Sequence, residues 1–329
     1  MAWHVPVFRG NHPGPEAGMS AALGSSHAGI TADHVLDQLE AEAIGIIRET
    51  AGAFRNPVLM YSIGKDSSVL LHLAWKAFRP APIPFPFLHV DSQWEFREVI
   101  AHRDRMTEEY GISLIVAVSH EGIAEGVSPM SHGIHEYTRI MRTVPLLRAL
   151  EEHDFDAAIG GGRRDEERSR AKERIFSLRE SGQRWDPRRQ RPEFWRTANT
   201  RLTDGQSMRV FPLSNWTELD VWRYIRREQI PVVSLYFAQE RQTIIRSGTI
   251  LVPDDDRMPL AADEVLTPRT VRFRTLGCYP VTGAIESSAA SIDELVDEME
   301  NTRESERAGR LVDGDRSDSM EAKKREGYF

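Results

Sequence analysis

Cysteine is almost missing from this sequence: among 329 residues there is one, Cys278. A single thiol closes no internal disulfide and builds no cysteine-based zinc or iron–sulfur site, so the chemistry has to proceed without thiol pairs. Long apolar runs are missing too. None approaches the roughly 18 residues that a membrane span requires, and the first 30 residues lack a basic start followed by an apolar core. A soluble, cytoplasmic protein with no membrane association is the expectation. Positive charge is in deficit, with 42 Lys plus Arg against 50 Asp plus Glu and a net charge of −8. Phosphate neutralisation along a nucleic acid needs a basic surface, so nucleic acid is not an expected partner. Apolar residues make up 40% of the chain. That suffices for a sizeable core in one large domain or two ordinary ones, at about 150 residues each.

Residues 1–30 are rich in Gly, Pro, Ser and His without apolar periodicity, and read as a flexible N-terminal extension. From Asp33 to Thr50 the residues Val35, Leu36, Leu39, Ala43, Ile46 and Ile47 recur at helical spacing. Four apolar runs follow, Pro57–Tyr61, Phe85–Val90, Leu114–Val118 and Phe155–Ile159, separated by helix-like segments Ser68–Phe78, Trp94–Tyr110 and Glu136–Leu150. A fifth run, Arg209–Leu213, precedes a helix from Thr217, a plausible N-cap, to Gln229, with Pro231 as its stop. Buried strands alternating with helices predict an α/β fold, a twisted, mainly parallel sheet with helices on both faces, over residues 31–231. Beyond Val232 the alternation stops, and 232–329 reads as a loop-rich C-terminal region with a last helix at Ile292–Asn301 and a charged tail. Inside the α/β region, residues 160–201 carry thirteen basic against seven acidic residues, a local +6 in an acidic protein. A structureless segment of that length in a compact domain is usually a lid or a binding segment.

The sharpest chemical signal is the run Val58-Leu-Met-Tyr-Ser62-Ile-Gly64-Lys65-Asp66-Ser67-Ser68, followed by Val69-Leu-Leu-His-Leu-Ala74. A buried strand enters a small polar turn and continues straight into a helix with apolar face Val69, Leu70, Leu73, Ala74 and Ala77. The turn lies at a strand's carboxyl end, where open parallel sheets bind ligands and a new helix offers unpaired N–H groups and the positive end of its dipole. Gly64 admits close backbone approach, Lys65 adds a full charge, and Ser62, Ser67 and Ser68 add hydroxyls; together they suit a pyrophosphate. An ordinary turn with Asp66 or Ser67 as N-cap is the alternative. A Walker loop is ruled out, because it needs Gly where Leu59 stands and Ser or Thr where Asp66 stands.

These residues resemble the pyrophosphate loop of the adenine nucleotide α-hydrolases, Ser-Gly-Gly-x-Asp-Ser, with Ile63 in place of the first Gly. The variant Tyr61-Ser-Ile-Gly-Lys-Asp-Ser-Ser-Val-Leu-Leu-His-Leu-Ala74 is similar to that of the small, ATP-binding subunits of two-subunit bacterial sulfate adenylyltransferases, within the PAPS reductase-like superfamily. Further matches are Pro84-Phe-Pro-Phe-Leu-His-Val-Asp91, Phe155-Asp-Ala-Ala-Ile-Gly-Gly161 with Arg163-Arg-Asp-Glu-Glu-Arg-Ser-Arg-Ala-Lys-Glu-Arg-Ile175, Arg209-Val-Phe-Pro-Leu-Ser-Asn-Trp-Thr-Glu218, Val271-Arg-Phe-Arg-Thr-Leu-Gly-Cys278 and the closing Ser319–Phe329. The resemblance covers roughly residues 33–329.

The resemblance implies adenylyl transfer from ATP to sulfate, giving adenylyl sulfate and pyrophosphate. It implies Mg²⁺ as a cofactor and a large partner subunit that hydrolyses GTP to drive synthesis. Displacement between two anions needs positioning and charge neutralisation rather than a covalent protein nucleophile. Ser62, Gly64, Lys65, Ser67 and Ser68 are therefore assigned to the leaving pyrophosphate, and Asp66 to Mg²⁺ or to capping the helix, because a bare carboxylate repels phosphate. Arg163, Arg164, Arg168 and Arg170 are assigned to sulfate and the α-phosphate, with Arg272 and Arg274 as later contributors, since Arg binds tetrahedral oxyanions bidentately. Mixed runs of this kind also form solvated helix faces. Asp91, ending the second run, is placed for nucleotide hydroxyls or a metal, or as a cap for the helix near Trp94. His132 and His135 lack a third ligand nearby and read as surface or capping residues. Cys278 reads as a buried structural thiol. Trp185, Trp195, Trp216 and Trp222 read as packing residues, and Lys323–Arg325 as a solvated tail. Three other functions are rivals, of which a tRNA-modifying ATP pyrophosphatase would show a broad basic face, against which the net −8 argues. A sulfonucleotide reductase would need a C-terminal cysteine, which the last 51 residues lack. A non-catalytic ATP sensor would bind nucleotide without releasing pyrophosphate.

Overall fold

The computed structural model describes residues 23–166, 172–193 and 199–301, with side chains from residue 33 onward. Arg168, Arg170, Trp195 and the Lys323–Arg325 tail lie outside these residues. By compactness the chain divides after Gln38, and helix α1 (Leu23–Ala53) begins in the first unit and ends in the second. Its start at Leu23 precedes the end of the extension expected over residues 1–30.

The second unit is built on a six-stranded sheet with strands β1 (Pro57–Met60), β2 (Phe87–Val90), β3 (Leu114–Ala117), β4 (Ala157–Ile159), β5 (Phe176–Arg179) and β6 (Ser207–Val210). Their order is β3-β2-β1-β4-β6-β5, and every pair is parallel except β5 with β6. The connecting helices are α2 (Lys65–Phe78), α3 (Arg97–Tyr110), α4 (His120–Ala124), α5 (Pro129–Thr138), α6 (Val144–Glu152) and α7 (Glu218–Glu228). The stretch expected as one helix over Glu136–Leu150 is longer and interrupted by a π turn at Arg139–Thr143 between α5 and α6. On one sheet face Val58, Leu88, Ala117 and Ala158 pack with Leu146, Ala149 and Leu150 of α6 and with Phe155. Burial of each large apolar side chain there contributes about 1.5–3 kcal/mol. Alternation sends Leu59 and Phe87 to the opposite face, where Tyr61 meets Phe87 edge-on, and Phe78 of α2 does the same to Phe85.

The chain winds outward from β1 through β2 to β3, then returns to add β4 on the other side of β1. The switch in winding direction therefore falls between β1 and β4. That is where connections leave in opposite directions and open a crevice at the strands' carboxyl ends. Helix α7 follows the capping logic read from the sequence: the Thr217 hydroxyl accepts from the Asp220 N–H, and the Asp220 carboxylate accepts from the Thr217 N–H.

Two expectations need correction. The segment 160–201 is not structureless, for it contains β5, paired antiparallel with β6 in the register Phe176↔Val210 to Arg179↔Ser207. The strand escapes sequence reading because Phe-Ser-Leu-Arg is four residues long and half polar; its burial is made possible by the Arg179–Glu173 ion pair at 2.6 Å. The C-terminal region is not merely loops: β7 (Gln239–Arg246), β8 (Thr249–Leu251), β9 (Thr267–Arg272) and β10 (Ile285–Glu286) form an antiparallel sheet ordered β10-β9-β7-β8. Helix α8 (Ile292–Asn301) follows within the expected limits.

Candidate active site

The turn between β1 and α2 lies at the switch point. Tyr61 N–H still donates to the Leu88 carbonyl of β2 at 2.9 Å, and from Ser62 the backbone leaves the sheet. Ile63 adopts the left-handed region with φ 64° and is fully buried. For a β-branched residue this conformation costs about 1–3 kcal/mol, and it is what the Gly of the general loop form would supply freely. Gly64 is the N-cap of α2 with φ −71° and no side-chain cap. Among the described residues no acceptor meets the N–H groups of Ile63, Gly64, Asp66 or Ser67, whereas Ser68 N–H already closes onto the Gly64 carbonyl at 2.9 Å. Unsatisfied amides clustered at a helix start make an anion-binding concavity.

The serine hydroxyls behave differently from expectation. Ser67 and Ser68 both donate to the Gly64 carbonyl, at 3.0 and 3.1 Å, and Ser62 donates to Ser67 at 3.3 Å. These bonds shape the turn from within. A Cβ added at Gly64 would meet nothing closer than 3.5 Å, so packing within the protein does not demand a glycine there. At Gly161, by contrast, a Cβ would lie 2.9 Å from the Asp66 Cβ. The loop after β4 can touch the first turn of α2 only because residue 161 has no side chain.

Around this turn charges alternate in a row. Arg163 Nε donates to Asp66 Oδ1 at 2.6 Å, and Asp66 Oδ2 lies 3.4 Å from Lys65 Nζ. Lys65 Nζ is 3.9 Å from Glu218, whose carboxylate receives Arg274 at 2.7 Å. Arg163 and Lys65 are 1% and 2% exposed, so they sit where an opposite charge is strongly felt. Asp165 flanks the row, 3.8 Å from Arg163, and accepts the Glu218 N–H at 3.3 Å. Arg163, Lys65 and Arg274 thus share Asp66 and Glu218, with Asp165 beside Arg163.

The remaining predicted residues separate. Arg164 is half-buried and donates to Asn215 at 2.6 Å and to Glu193 at 3.0 Å, while its N–H reaches the Ser214 carbonyl. Arg272 is buried and paired with Glu298 and Ser287. Asp91 accepts from Gln93 N–H at 2.8 Å and faces Arg103 at 3.5 Å; it closes a turn and does not cap α3, whose N-cap position is Phe96. His89 donates from Nδ1 to the Tyr61 carbonyl at 2.9 Å, a tautomer fixed by that acceptor, and burial pushes its pKa down to about 4. Cys278 is buried against Ser92 and Tyr137, and burial raises its thiol pKa. Among the described residues no group of three His, Cys, Asp or Glu could hold a metal. Each oxygen of Asp66 already faces a cation. The donor set therefore does not fit a protein-held Mg²⁺, which takes carboxylates together with substrate phosphates and water.

Residues 56–284 match the phosphoadenosine phosphosulfate reductase domain, most of the α/β unit described above. Over 305 residues the chain is 59% identical to sulfate adenylyltransferase subunit 2 of Myxococcus xanthus (strain DK1622), covering 93% of this chain and 100% of that protein. The chain belongs to this family. The subunit 2 protein of Rhizobium meliloti (strain 1021) is 58% identical over 294 residues, 89% of this chain and 98% of its own. A phosphoadenylyl-sulfate reductase structure from Candida auris aligns at 17% identity and a TM-score of 0.45, covering 66% of this chain and 92% of that one. Membership in the sulfate adenylyltransferase subunit 2 family agrees with the motifs from Tyr61 to Cys278, and the structure adds what they did not indicate. Glu218 stood inside a matched motif without a role, and Tyr236, whose hydroxyl accepts the Lys65 N–H at 2.8 Å, stood outside all of them. The Gly of the general form at position 63 was the one available sign of the positive φ there.

Proposed function

We propose that this chain is the adenylyl-transferring subunit of a sulfate adenylyltransferase, converting ATP and sulfate to adenylyl sulfate and pyrophosphate. The observation that carries the mechanism is the cluster of four amides, those of Ile63, Gly64, Asp66 and Ser67, that meet no acceptor among the described residues, beside the buried Lys65 at the switch point. The pyrophosphate end of ATP lies on the N–H groups of Ile63, Gly64, Asp66 and Ser67, with Lys65 Nζ neutralising the charge that grows as the bond to the α-phosphorus breaks. Preorganised donors of this kind stabilise the departing oxyanion without reorganising during reaction. Sulfate is held by Arg163, Arg164 and Arg274, with Arg168 and Arg170 of the same basic segment as further ligands. One sulfate oxygen attacks phosphorus in line with the leaving group, and no protein atom becomes bonded to substrate. Asp66 and Glu218 keep these cations apart and oriented until anions replace them. Asp91 stands at the carboxyl end of β2 for the nucleotide's hydroxyls. Mg²⁺, when it accompanies ATP, screens the phosphate charge, held by phosphate and water.

The subunit 2 designation of the relatives implies a partner subunit, and the energetics of the product suggest its chemistry. A phosphate–sulfate anhydride is a high-energy product, so net synthesis needs coupling to a second hydrolysis. We assign that to a large subunit that hydrolyses GTP. Thiol-dependent reduction is disfavoured, since Cys278, the chain's one thiol, is buried and its pKa raised. The deciding assay follows adenylyl sulfate formed from ATP and sulfate by the co-expressed subunits, with and without GTP. Sulfate-dependent pyrophosphate release supports the reading; ATP binding with no sulfate-dependent release would leave only a nucleotide sensor.

A further inference from the structure

The first turn of α2 is capped from outside the parallel sheet. Gly64 has no side chain to cap with, and the Lys65 N–H donates to the hydroxyl of Tyr236, a residue of the short 3₁₀ turn Ser234–Tyr236 after α7. That hydroxyl is held rigidly. The Tyr236 ring is 1% exposed and stands edge-on to the buried Trp222 with centroids 5.1 Å apart. Tyr236 N–H donates to the Val233 carbonyl, and the Leu235 carbonyl accepts the Phe273 N–H at 2.8 Å, tying the turn to the chain just after β9. The hydroxyl also lies 3.5 Å from the place a Gly64 Cβ would occupy, closing one side of the loop. Two residues before Lys65, Ile63 is held in the left-handed region. A β-branched residue stays there only where its surroundings over-determine it.

We propose that Tyr236 is a positioning residue of the pyrophosphate loop: its hydroxyl anchors the Lys65 N–H and so keeps the strained Ile63–Gly64 backbone turned with its other amides toward the anion. The proposal rests on reading that loop as the pyrophosphate site. In this arrangement the hydroxyl removes one amide from the anion's donors and fixes the orientation of the others. Its loss loosens the phosphate end of the site because Ile63 is strained; with glycine at 63 the anchor has little left to restrain.

The test titrates the full-length chain with inorganic pyrophosphate by calorimetry, using Tyr236→Phe, Ile63→Gly and the double variant. Tyr236→Phe retains the ring against Trp222 and should weaken pyrophosphate binding about five- to twentyfold, as loss of one buried hydrogen bond at a preorganised site would. In the Ile63→Gly background the same change should cost less than about threefold, and that non-additivity is a signature that general destabilisation does not produce. Unchanged affinity in Tyr236→Phe, or an equal penalty in both backgrounds, overturns the role of Tyr236 while leaving the site intact. A wild-type chain that binds no pyrophosphate overturns the site reading and this proposal together.

Discussion

Two loops meet at the switch point, and they handle charge in opposite ways. The turn after β1 leaves the Ile63 and Gly64 N–H groups without an acceptor among the described residues, while the Ser67 and Ser68 hydroxyls fold onto its Gly64 carbonyl. The segment after β4 delivers arginines that arrive already matched, Arg163 to Asp66 and Arg164 to Asn215 and Glu193. On the proposed reading, the first takes its donors from backbone shape, and the second would release its donors by exchange, an incoming anion displacing a carboxylate. Binding energy at the turn is therefore gained directly, whereas at the arginines it is a difference between two ion pairs.

The largest test of this contrast is Arg163→Ala. Removing a 1%-exposed guanidinium leaves Asp66 without its closest partner, and stability should fall by about 3–5 kcal/mol in denaturant unfolding. A loss below about 1 kcal/mol would show that the pair is not structurally coupled. Acid should act on the strand side of the site. His89 has its pKa depressed to about 4 from 6.5, so the unfolded chain binds the extra proton first. Stability is fully present above pH 6.5 and declines as pH falls toward 4, by at most roughly 3 kcal/mol from this residue. His89→Gln should flatten that part of the stability profile, and a profile unchanged by the substitution would exclude His89 as its source.

Lys65→Ala addresses the turn itself, with ATP affinity expected to drop about ten- to 150-fold, equivalent to roughly 1.5–3 kcal/mol. Retained affinity in a folded variant would place the phosphates elsewhere. The two glycines separate the loops more finely. Gly161→Ala should lower stability by about 1–2 kcal/mol, because its Cβ would press on the Asp66 Cβ at 2.9 Å. Gly64→Ala, with 3.5 Å of room, should keep its melting temperature and lose ATP affinity alone. Equal melting temperatures for the two variants would remove the distinction. The smallest structural effect belongs to Arg164→Ala, at most about 1 kcal/mol for a half-buried side chain, but it should raise KM for sulfate more than KM for ATP. Parallel changes in both constants would take Arg164 out of the sulfate site.

The central strands were legible because each is an apolar run bounded by polar turns; β1 to β4 lie within a few residues of their expected limits, and Thr217 caps α7 as read. Strand β5 was not, since its burial depends on Glu173 neutralising Arg179 and on β6 pairing with it. Residues 239–286 hid their antiparallel sheet in polar strands such as Gln239–Arg246, whose exposed positions show no clean alternation. At the site, residue types and spacing alone placed the Ser62–Ser68 turn between a buried strand and a helix start. That the Ser67 and Ser68 hydroxyls turn back onto the Gly64 carbonyl was not legible there.

Sequence alone determined the local elements: which runs become buried strands, where α7 begins, and that a lysine and a glycine stand at a strand's carboxyl end; α2 starts at Lys65, three residues before the expected Ser68. Those properties depend on near neighbours, on periodicity and on capping. Only the tertiary structure decided that Glu218 joins Lys65 to Arg274, that Tyr236 accepts the Lys65 N–H from 171 residues away, and that Asp66 faces Arg163 rather than solvent. Electrostatic and hydrogen-bond partners form wherever packing brings opposite groups within a few ångströms, and that proximity is set by the winding of the sheet.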